Sequence, residues 1–405
     1  MKRNALFIVL ALIFLEWLDF SLYLYLAKSV FAKEFFPPSS YSLLLSFALF
    51  AAAFLARPLG GWLFGRQADA SGRRKPMVLS AGLMGLATVG ICLLPDYNTI
   101  GIAAAFGLLC LRVAQGLALG GEINTSAMFL IEHHARHPLK AGSLVAASGA
   151  AGMFLGGAMA ALLQYSHIPW MWRIIFASVG LLSLWVCRLR KRLTESPEFK
   201  TNHAPIIEIW REHAQGLLNI AMLGAFVSVT VYICNAFWVS YAIDQALWSS
   251  TQCAWIGSLA QLSSALLALP LARLCKPVHV YLLLRLGTMT ALFTAPMLFY
   301  CTTIAYKPGV IVALFGYVLT NGLICSSMFY FLYLQLPAQY RCRGVSTVWA
   351  LAASIGAVSL PLAEQAVQWQ WFWVPPLLEC VFATIAFLFL YKSAPKPASL
   401  HVKTV

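Results

Sequence analysis

The feature that most constrains this chain is a succession of apolar runs, each long enough to cross a bilayer. A helix spans the hydrocarbon core with about 20 predominantly apolar residues. Read by that length, the sequence divides into twelve runs, near 5–31, 41–65, 76–94, 99–131, 140–165, 169–189, 216–242, 248–274, 277–300, 307–336, 343–368 and 370–391. Lipid offers no hydrogen bonds to the backbone, so such runs must satisfy their own polar groups as helices. Most connections are very short, which makes successive helices antiparallel neighbours. The first run is too long for a signal-peptide core and no small-residue cleavage site follows it, so it is expected to remain as the first span. The expected fold is an all-α membrane protein of twelve transmembrane helices.

Composition supports this reading. The chain is 60% hydrophobic and only 10% charged, whereas soluble domains carry about 25% charged residues. The net charge of +14 does not indicate a nucleic-acid partner, because the excess sits in loops on one side. The ten cysteines are scattered singly without a C-x-x-C pair, so neither a zinc site nor a disulfide framework is indicated. They read as small apolar packing residues.

Lys and Arg outside the spans distribute unevenly. One side collects Lys2, Arg3, Arg66, Arg73, Arg74, Lys75, Arg136, Lys140, Arg188, Arg190, Lys191, Arg192, Lys200 and Arg211. It also takes Arg273, Lys276, Arg341, Arg343, Lys392, Lys396 and Lys403, while the other side holds little beyond Lys33 and Lys307. The positive-inside rule then places both termini in the cytoplasm of a multi-pass inner-membrane protein. The long polar stretch divides the chain into a bundle over 1–189, a linker over 190–215, a second bundle over 216–392 and a short tail over 393–405. Glu208, Arg211 and Glu212 beside Ile206, Ile207 and Trp210 suit either an amphipathic surface helix or a plain linker.

Ionisable groups inside a membrane cost at least about 2.5–3.5 kcal/mol on insertion scales, so each is a functional candidate. The first half holds Glu16, Asp19, Arg57, Arg112 and Glu122, with Lys28 nearer the outer end, where it can snorkel. The second half has only Arg285, Glu364 and Glu379, each near an end of its span. Glu16 and Asp19 are three apart and share one helix face. At about 1.5 Å per residue they lie roughly 15–20 Å deep, level with Arg112 entering from the other side. Two close carboxylates raise each other's pKa and an arginine lowers it, so such a cluster can bind one proton and release it, which is a workable relay. The alternative role for each is a buried salt-bridge network that fixes packing.

Residues 57–75 hold a further signal: an apolar helix, a tight turn with Asp69 among Arg66, Arg73, Arg74 and Lys75, and another apolar helix. Gly65, Asp69, Gly72, Arg73 and Arg74 fill the pattern G-x-x-x-D-x-x-G-R-[RK], which resembles the loop between helices 2 and 3 of the major facilitator superfamily. Glu16-Trp-Leu-Asp-Phe20 resembles the E-W-[FY]-D-[FY] start of its metabolite:proton symporter family, the proline/betaine, citrate, shikimate and oxoglutarate carriers. Arg57-Pro-Leu-Gly-Gly61, the R-x-x-Q-G-x-x-x-G-G-E run from Arg112 to Glu122, Trp172-Arg173 and Glu195-Ser-Pro-Glu-Phe199 extend the likeness across 15–200.

The resemblance implies two six-helix bundles, alternating access and a proton-driven cycle. By position it implies that Asp19, Arg112 and Glu122 carry proton or substrate coupling and that Asp69 with Arg73 latches the inner gate. Together with the buried charges, the candidate sites are Glu16, Asp19 and Glu122 for proton coupling, Arg112, Gln115 and Arg57 for substrate, and Gly65, Asp69, Gly72, Arg73 and Arg74 for a cytoplasmic gate. The echo expected between spans 8 and 9, at 271–277, keeps Arg273 and Lys276 but has lost the acid and glycines. Gly152-Met-Phe-Leu-Gly-Gly157 resembles the antiporter helix-5 signature with Met153 in place of proline, which tilts toward symport.

In the second half, Tyr232, Asn235, Trp238, Gln261, Tyr317 and Asn321 are candidate cavity residues and supply no cation. The balance of buried charge favours a zwitterion, a monocarboxylate or a neutral polar metabolite. The expected function is proton-coupled import of a small polar organic solute by a monomer, with the proton gradient as energy source and no cofactor. A proton-driven exporter of a drug, siderophore or metabolite, and a non-transporting receptor on a carrier fold, are the alternatives.

Overall fold

A computed structural model describes residues 3–38, 42–165, 168, 170–199 and 206–393. Twelve helices in it are long and apolar enough to cross a membrane. The first six are α1 (Arg3–Leu26), α2 (Ser42–Ser71), α3 (Arg74–Leu93), α4 (Ile102–His133), α5 (Pro138–Tyr165) and α6 (Met171–Arg190). In the second half, α7 runs Ile206–Val231 and continues through a π-helical stretch, Tyr232–Phe237, into Trp238–Asp244. There follow α8 (Ser250–Leu274), α9 (Val280–Thr303), α10 (Lys307–Gln335), α11 (Arg341–Gln368) and α12 (Val374–Lys392).

Local chemistry sets the helix ends. A capping box of Ser249 and Gln252 starts α8, and proline in the first turn starts α10 and α12. Gly72 stops α2 by adopting φ +96°, a left-handed geometry that glycine reaches without a Cβ clash. The end of α2 differs from the sequence expectation: it runs to Ser71 rather than about 65, so Asp69 stands in its last turn, not in a loop. The stretch before the seventh span is also helical from Ile206 and breaks only at His213 (φ −128°, ψ 28°). The side chain of Lys28 and the tail from 394 lie outside the described residues.

Within the first half α1 packs on α5, α2 on α4, and α3 on α4 and α6. Within the second, α7 packs on α11 and α12, α8 on α10, and α9 on α10 and α12. The halves meet mainly where α2 touches α11 and where α5 touches α8 and α10. Near the α2–α3 turn the α2–α11 approach is backbone to backbone. A Cβ on Gly61 would sit 2.6 Å from the Ser346 carbonyl oxygen, and one on Gly65 2.6 Å from Arg343 Cα. Small residues are what allow helices to approach this closely in lipid.

The α2–α3 turn marks the basic face. Toward that face one apolar cluster runs through both halves, joining Val9, Ile13, Ala68 and Phe129 to Leu217, Phe226, Phe329 and Val345. Toward the opposite face the core splits. Leu22, Phe31, Phe54 and Trp172 belong to a first-half cluster, and Phe237, Tyr241, Phe299 and Tyr317 to a second-half one. The buried apolar core is therefore shared between the halves at one face and split at the other, where α5 still meets α8 through Phe154 and Trp255. Leu55, Phe106, Phe293 and Phe315 stay exposed on the helix surfaces, as lipid contact requires. Trp369, Trp371 and Trp373 cluster, exposed, between α11 and α12, where an aromatic belt forms.

Candidate functional site

The apolar faces of α1, α2, α3 and α4 enclose a group of ionised side chains that lipid cannot solvate. Asp19, Glu16, Arg112 and Gln115 are fully buried, and Arg57 is nearly so. Asp19 and Arg112 are joined through an amide rather than directly. Arg112 Nη1 donates to Gln115 Oε1 at 2.7 Å, and Gln115 Nε2 donates to Asp19 Oδ2 at 2.6 Å and to Thr88 Oγ1 at 2.9 Å. Arg112 and Gln115 are three residues apart, so one face of α4 presents both.

The arginines lie on aromatic faces, an arrangement that lowers the cost of a dry guanidinium. Arg112 stands 3.9 Å from the Tyr23 ring centroid and 4.8 Å from that of Phe20. Arg57 stands 3.6 Å from Phe54 and 4.6 Å from Phe20. Hydrogen bonding is incomplete. Among the described residues, Nε and Nη2 of both Arg57 and Arg112, Asp19 Oδ1 and both Glu16 oxygens have no partner. Buried polar atoms are nearly always paired, so this group has spare capacity for a bound species.

Glu122 stands apart from that group in its bonding. It pairs with Arg190 at the end of α6 and accepts hydrogen bonds from Ser80 and Ser126, each at 2.6 Å. Arg190 also donates to the carbonyls of Met77 and Val9, each at 3.1 Å. The pair ties α1, α3, α4 and α6 together near the basic face. Removing one partner of a buried pair typically costs about 3–5 kcal/mol, while replacing both with apolar groups is often neutral. Arg190→Met is therefore expected to lower the unfolding temperature strongly, and Glu122→Leu/Arg190→Met to recover most of the loss. A double-mutant cycle on thermal unfolding in detergent checks this.

The second-half candidates divide. Tyr232 begins the π-helical stretch and lays its ring 5.7 Å from that of Phe54, facing the arginine group across the boundary between halves. Gln261, Tyr317 and Asn321 form one cluster: Gln261 Oε1 accepts from Tyr317 Oη at 2.7 Å and from Asn321 Nδ2 at 3.2 Å. Asn235 donates to the Gly257 carbonyl on α8 at 2.8 Å. Trp238 is turned into the second-half core, donating to Thr302 at 3.0 Å, and is fully buried there. Arg285 caps the end of α12 by donating to the Leu390 carbonyl at 3.0 Å. Glu379, near the start of α12, is fully buried.

At the basic face the α2–α3 turn engages the other half. Asp69 accepts the backbone N–H groups of Cys342 at 3.2 Å and Arg343 at 2.9 Å, at the N-terminus of α11. It also pairs with Arg73 at 3.0 Å. A carboxylate is favoured there by the free N–H groups and the helix dipole. Arg73 pairs in addition with Glu132 at 3.2 Å and donates to the Ala338 carbonyl at 2.6 Å. Arg341 pairs with Glu132 at 2.8 Å and with Glu198 at 2.9 Å, and Tyr333 donates to Glu198 at 2.7 Å. Glu195 accepts the backbone N–H groups of Arg73 and Arg74, at 2.7 and 3.2 Å. A Cβ at position 72 would collide with that Glu195 carboxylate. Near the opposite face, a cavity of about 160 Å³ lies between α1, α5 and α8, lined by Tyr25, Gly157, Ser250, Thr251, Trp255 and Ser258.

Sequence reasoning did not single out Arg190, Glu132, Glu195, Glu198, Arg341 or Thr88 for a role. The signal for the first five was present: each acid or base lies at or just beyond a helix end on the strongly basic face, where an acid is otherwise scarce.

Residues 9–361 match the Major Facilitator Superfamily. The chain is 30% identical to the alpha-ketoglutarate permease of Escherichia coli over 424 residues, covering 92% of this chain and 89% of that protein. It is 35% identical to the citrate-proton symporter of Klebsiella pneumoniae over 241 residues, which is 54% of this chain and about half, 53%, of that protein's length. Superposition on the proton:xylose symporter XylE gives a TM-score of 0.72 at 18% identity, covering 98% of this chain and 97% of XylE, a likeness of fold alone.

Proposed function

Because the chain belongs to the Major Facilitator Superfamily and is a multi-pass inner-membrane transporter rather than an enzyme, we propose that it is a proton-coupled symporter importing a small organic carboxylate. The substrate is a monocarboxylate or a zwitterion bearing one carboxylate. The observation that carries this reading is the Asp19–Gln115–Arg112 chain beside four guanidinium nitrogens that lack partners among the described residues. Those donors suit a carboxylate, which takes paired N–H groups from arginine. A permease for alpha-ketoglutarate and a symporter of citrate with protons among the relatives support a carboxylate substrate and proton coupling, while the single carboxylate rests on the charge balance of the site.

The coupling follows from charge balance. With Asp19 ionised, its negative charge offsets Arg112 through Gln115 and an anionic solute is poorly held. With Asp19 protonated, the positive charge of Arg112 is free for the incoming carboxylate. Proton and solute therefore enter the site together and leave it together. Arg57 lies over Phe54, whose ring meets Tyr232 of the other half, and in this reading it senses closure of the two halves around the solute. In this reading the basic face is cytoplasmic, the latch at Asp69 holds it shut, and the cavity near Tyr25 and Trp255 is part of the periplasmic approach. The proton gradient is the energy source and the monomer is the working unit.

The test is uptake into proteoliposomes under an imposed pH gradient, acid outside. Accumulation of a labelled monocarboxylate or zwitterion above equilibrium, abolished by a protonophore, is expected. Movement of solute against the direction of the protons overturns symport in favour of export. A thermal-shift screen over amino acids, betaines and mono- and dicarboxylates identifies the class, because a ligand at a hundred times its Kd stabilises by about 2.7 kcal/mol.

A further inference from the structure

Glu379 is a buried carboxyl that the coupling scheme does not use. It projects from α12 between α7, α9 and α10 and is fully buried. It borders a narrow crevice lined by Thr230, Cys234, Thr294, Tyr317 and Thr320, with no room for a water molecule. No salt bridge reaches it among the described residues. The titratable groups facing the crevice are Cys234 on α7 and Tyr317 on α10, with Cys380 next to Glu379 on α12. Arg285, on α9, is engaged with the Leu390 carbonyl at the far end of α12.

The hydrogen atoms around Glu379 can be counted. Thr230 Oγ1 lies 2.7 Å from Glu379 Oε1 and 2.9 Å from the Phe226 carbonyl oxygen. A hydroxyl has one proton and cannot donate to both. The other hydroxyl protons are committed elsewhere: Tyr317 donates to Gln261, Thr320 to Thr290, and Thr294 to the carbonyl of Thr290. Glu379 Oε2 has no partner at all among the described residues. An ionised carboxylate here would have no cation and at most one donor, which a dry interior does not tolerate. A protonated carboxyl completes the chain: Glu379 donates to Thr230, and Thr230 donates to the Phe226 carbonyl.

The neighbouring helix supplies a means of exposure. The π-helical stretch Tyr232–Phe237 begins two residues after Thr230. Such stretches recur at functional sites and mark places where a helix can change its winding. Its first residue, Tyr232, touches Phe54 of the first half, so movement between the halves acts directly on this segment. We infer that Glu379 is a second proton-binding site, in the second bundle, loaded and sealed in this conformation and opened to water when α7 rewinds. On opening, the proton leaves Glu379 for an entering water, and the carboxylate is then solvated.

This goes beyond the transport reading, and its test does not depend on any solute or on coupling. Infrared pH titration of the purified protein in lipid reads the carbonyl stretch of protonated carboxyls. A band that persists at neutral pH, titrates reversibly, disappears in Glu379→Gln and shifts to higher frequency in Thr230→Val is expected. The Thr230→Val shift assigns the band even where the glutamine variant fails to fold. Absence of any such band at neutral pH shows Glu379 ionised and overturns the inference. A band that is present but invariant with pH also overturns it, since Glu379 is then a fixed hydrogen-bond donor rather than a proton site.

Discussion

Asp69→Asn is expected to unlatch the basic face and to cut uptake at least about tenfold. Asp69 accepts three donors, two backbone N–H groups of α11 and the Arg73 guanidinium, in a buried setting. Asparagine offers one acceptor and turns its own N–H groups toward the remaining donors, and it removes the charge that the α11 N-terminus favours. Losing a buried charge-assisted arrangement of this kind costs about 3 kcal/mol, which is roughly a hundredfold in a two-state population. The closed state contains the whole of that contact, because it joins the two halves. The open state contains only the Arg73 pairing within the first half. The Arg73 part of the loss is common to both states and cancels, so it is the loss of the two α11 N–H contacts that falls on the closed state.

Cys342 provides the readout. It is fully buried beside Asp69, where α2 meets α11, and is expected to become accessible when they part. Its alkylation by a polar maleimide, followed on the Cys342 peptide by mass spectrometry, is expected to accelerate about a hundredfold in Asp69→Asn. Unchanged protection with normal uptake would remove Asp69 from the gate. Uptake lost with Cys342 still protected would also reject the latch, because the defect would then lie elsewhere in the cycle.

The α2–α3 turn and its partners show what was legible in the sequence and what was not. Twelve helices follow from run length alone, and all twelve form. The uneven distribution of Lys and Arg along the chain separates two faces without any knowledge of packing. Asp69 and Gly72 were visible because their spacing is a local pattern within one turn. Glu132 and Arg341 were not, because their meeting is set by how two halves dock across 209 residues of chain. No periodicity within either helix encodes it. The same limit applies in the buried cluster. Depth arithmetic placed Asp19 and Arg112 at one level, but it could not show that Gln115 stands between them. Rotation about each helix axis decides that, and such rotation comes from packing against α2 and α3. Trp238 is the reverse case: a position on a candidate cavity helix whose side chain turned into the core because Thr302 offers its indole N–H an acceptor.

The largest effects at the buried cluster are expected from Asp19→Asn and Arg112→Ala, and they differ in kind. In Asp19→Asn the new amide is a permanent stand-in for the protonated acid. It keeps an oxygen for Gln115 and leaves the positive charge of Arg112 uncompensated, so the solute still binds. No proton is left to release, so the pH gradient has nothing to act on. Accumulation under an imposed gradient should therefore collapse to simple equilibration, while exchange of labelled for unlabelled solute continues. Arg112→Ala removes the cation itself and leaves the Asp19 side of the cluster without its counter-charge. Truncating one partner of a buried charge pair costs about 2–5 kcal/mol, so binding should weaken about thirtyfold or more and both accumulation and exchange should fail. Thermal shift with the identified solute measures the binding loss, and paired uptake and exchange assays separate the two variants. Equal loss of exchange in both would mean that Asp19 contacts the solute rather than the proton. Normal accumulation in Asp19→Asn would move the coupling proton to another group, and Glu16, buried beside it without a partner among the described residues, is the first to examine.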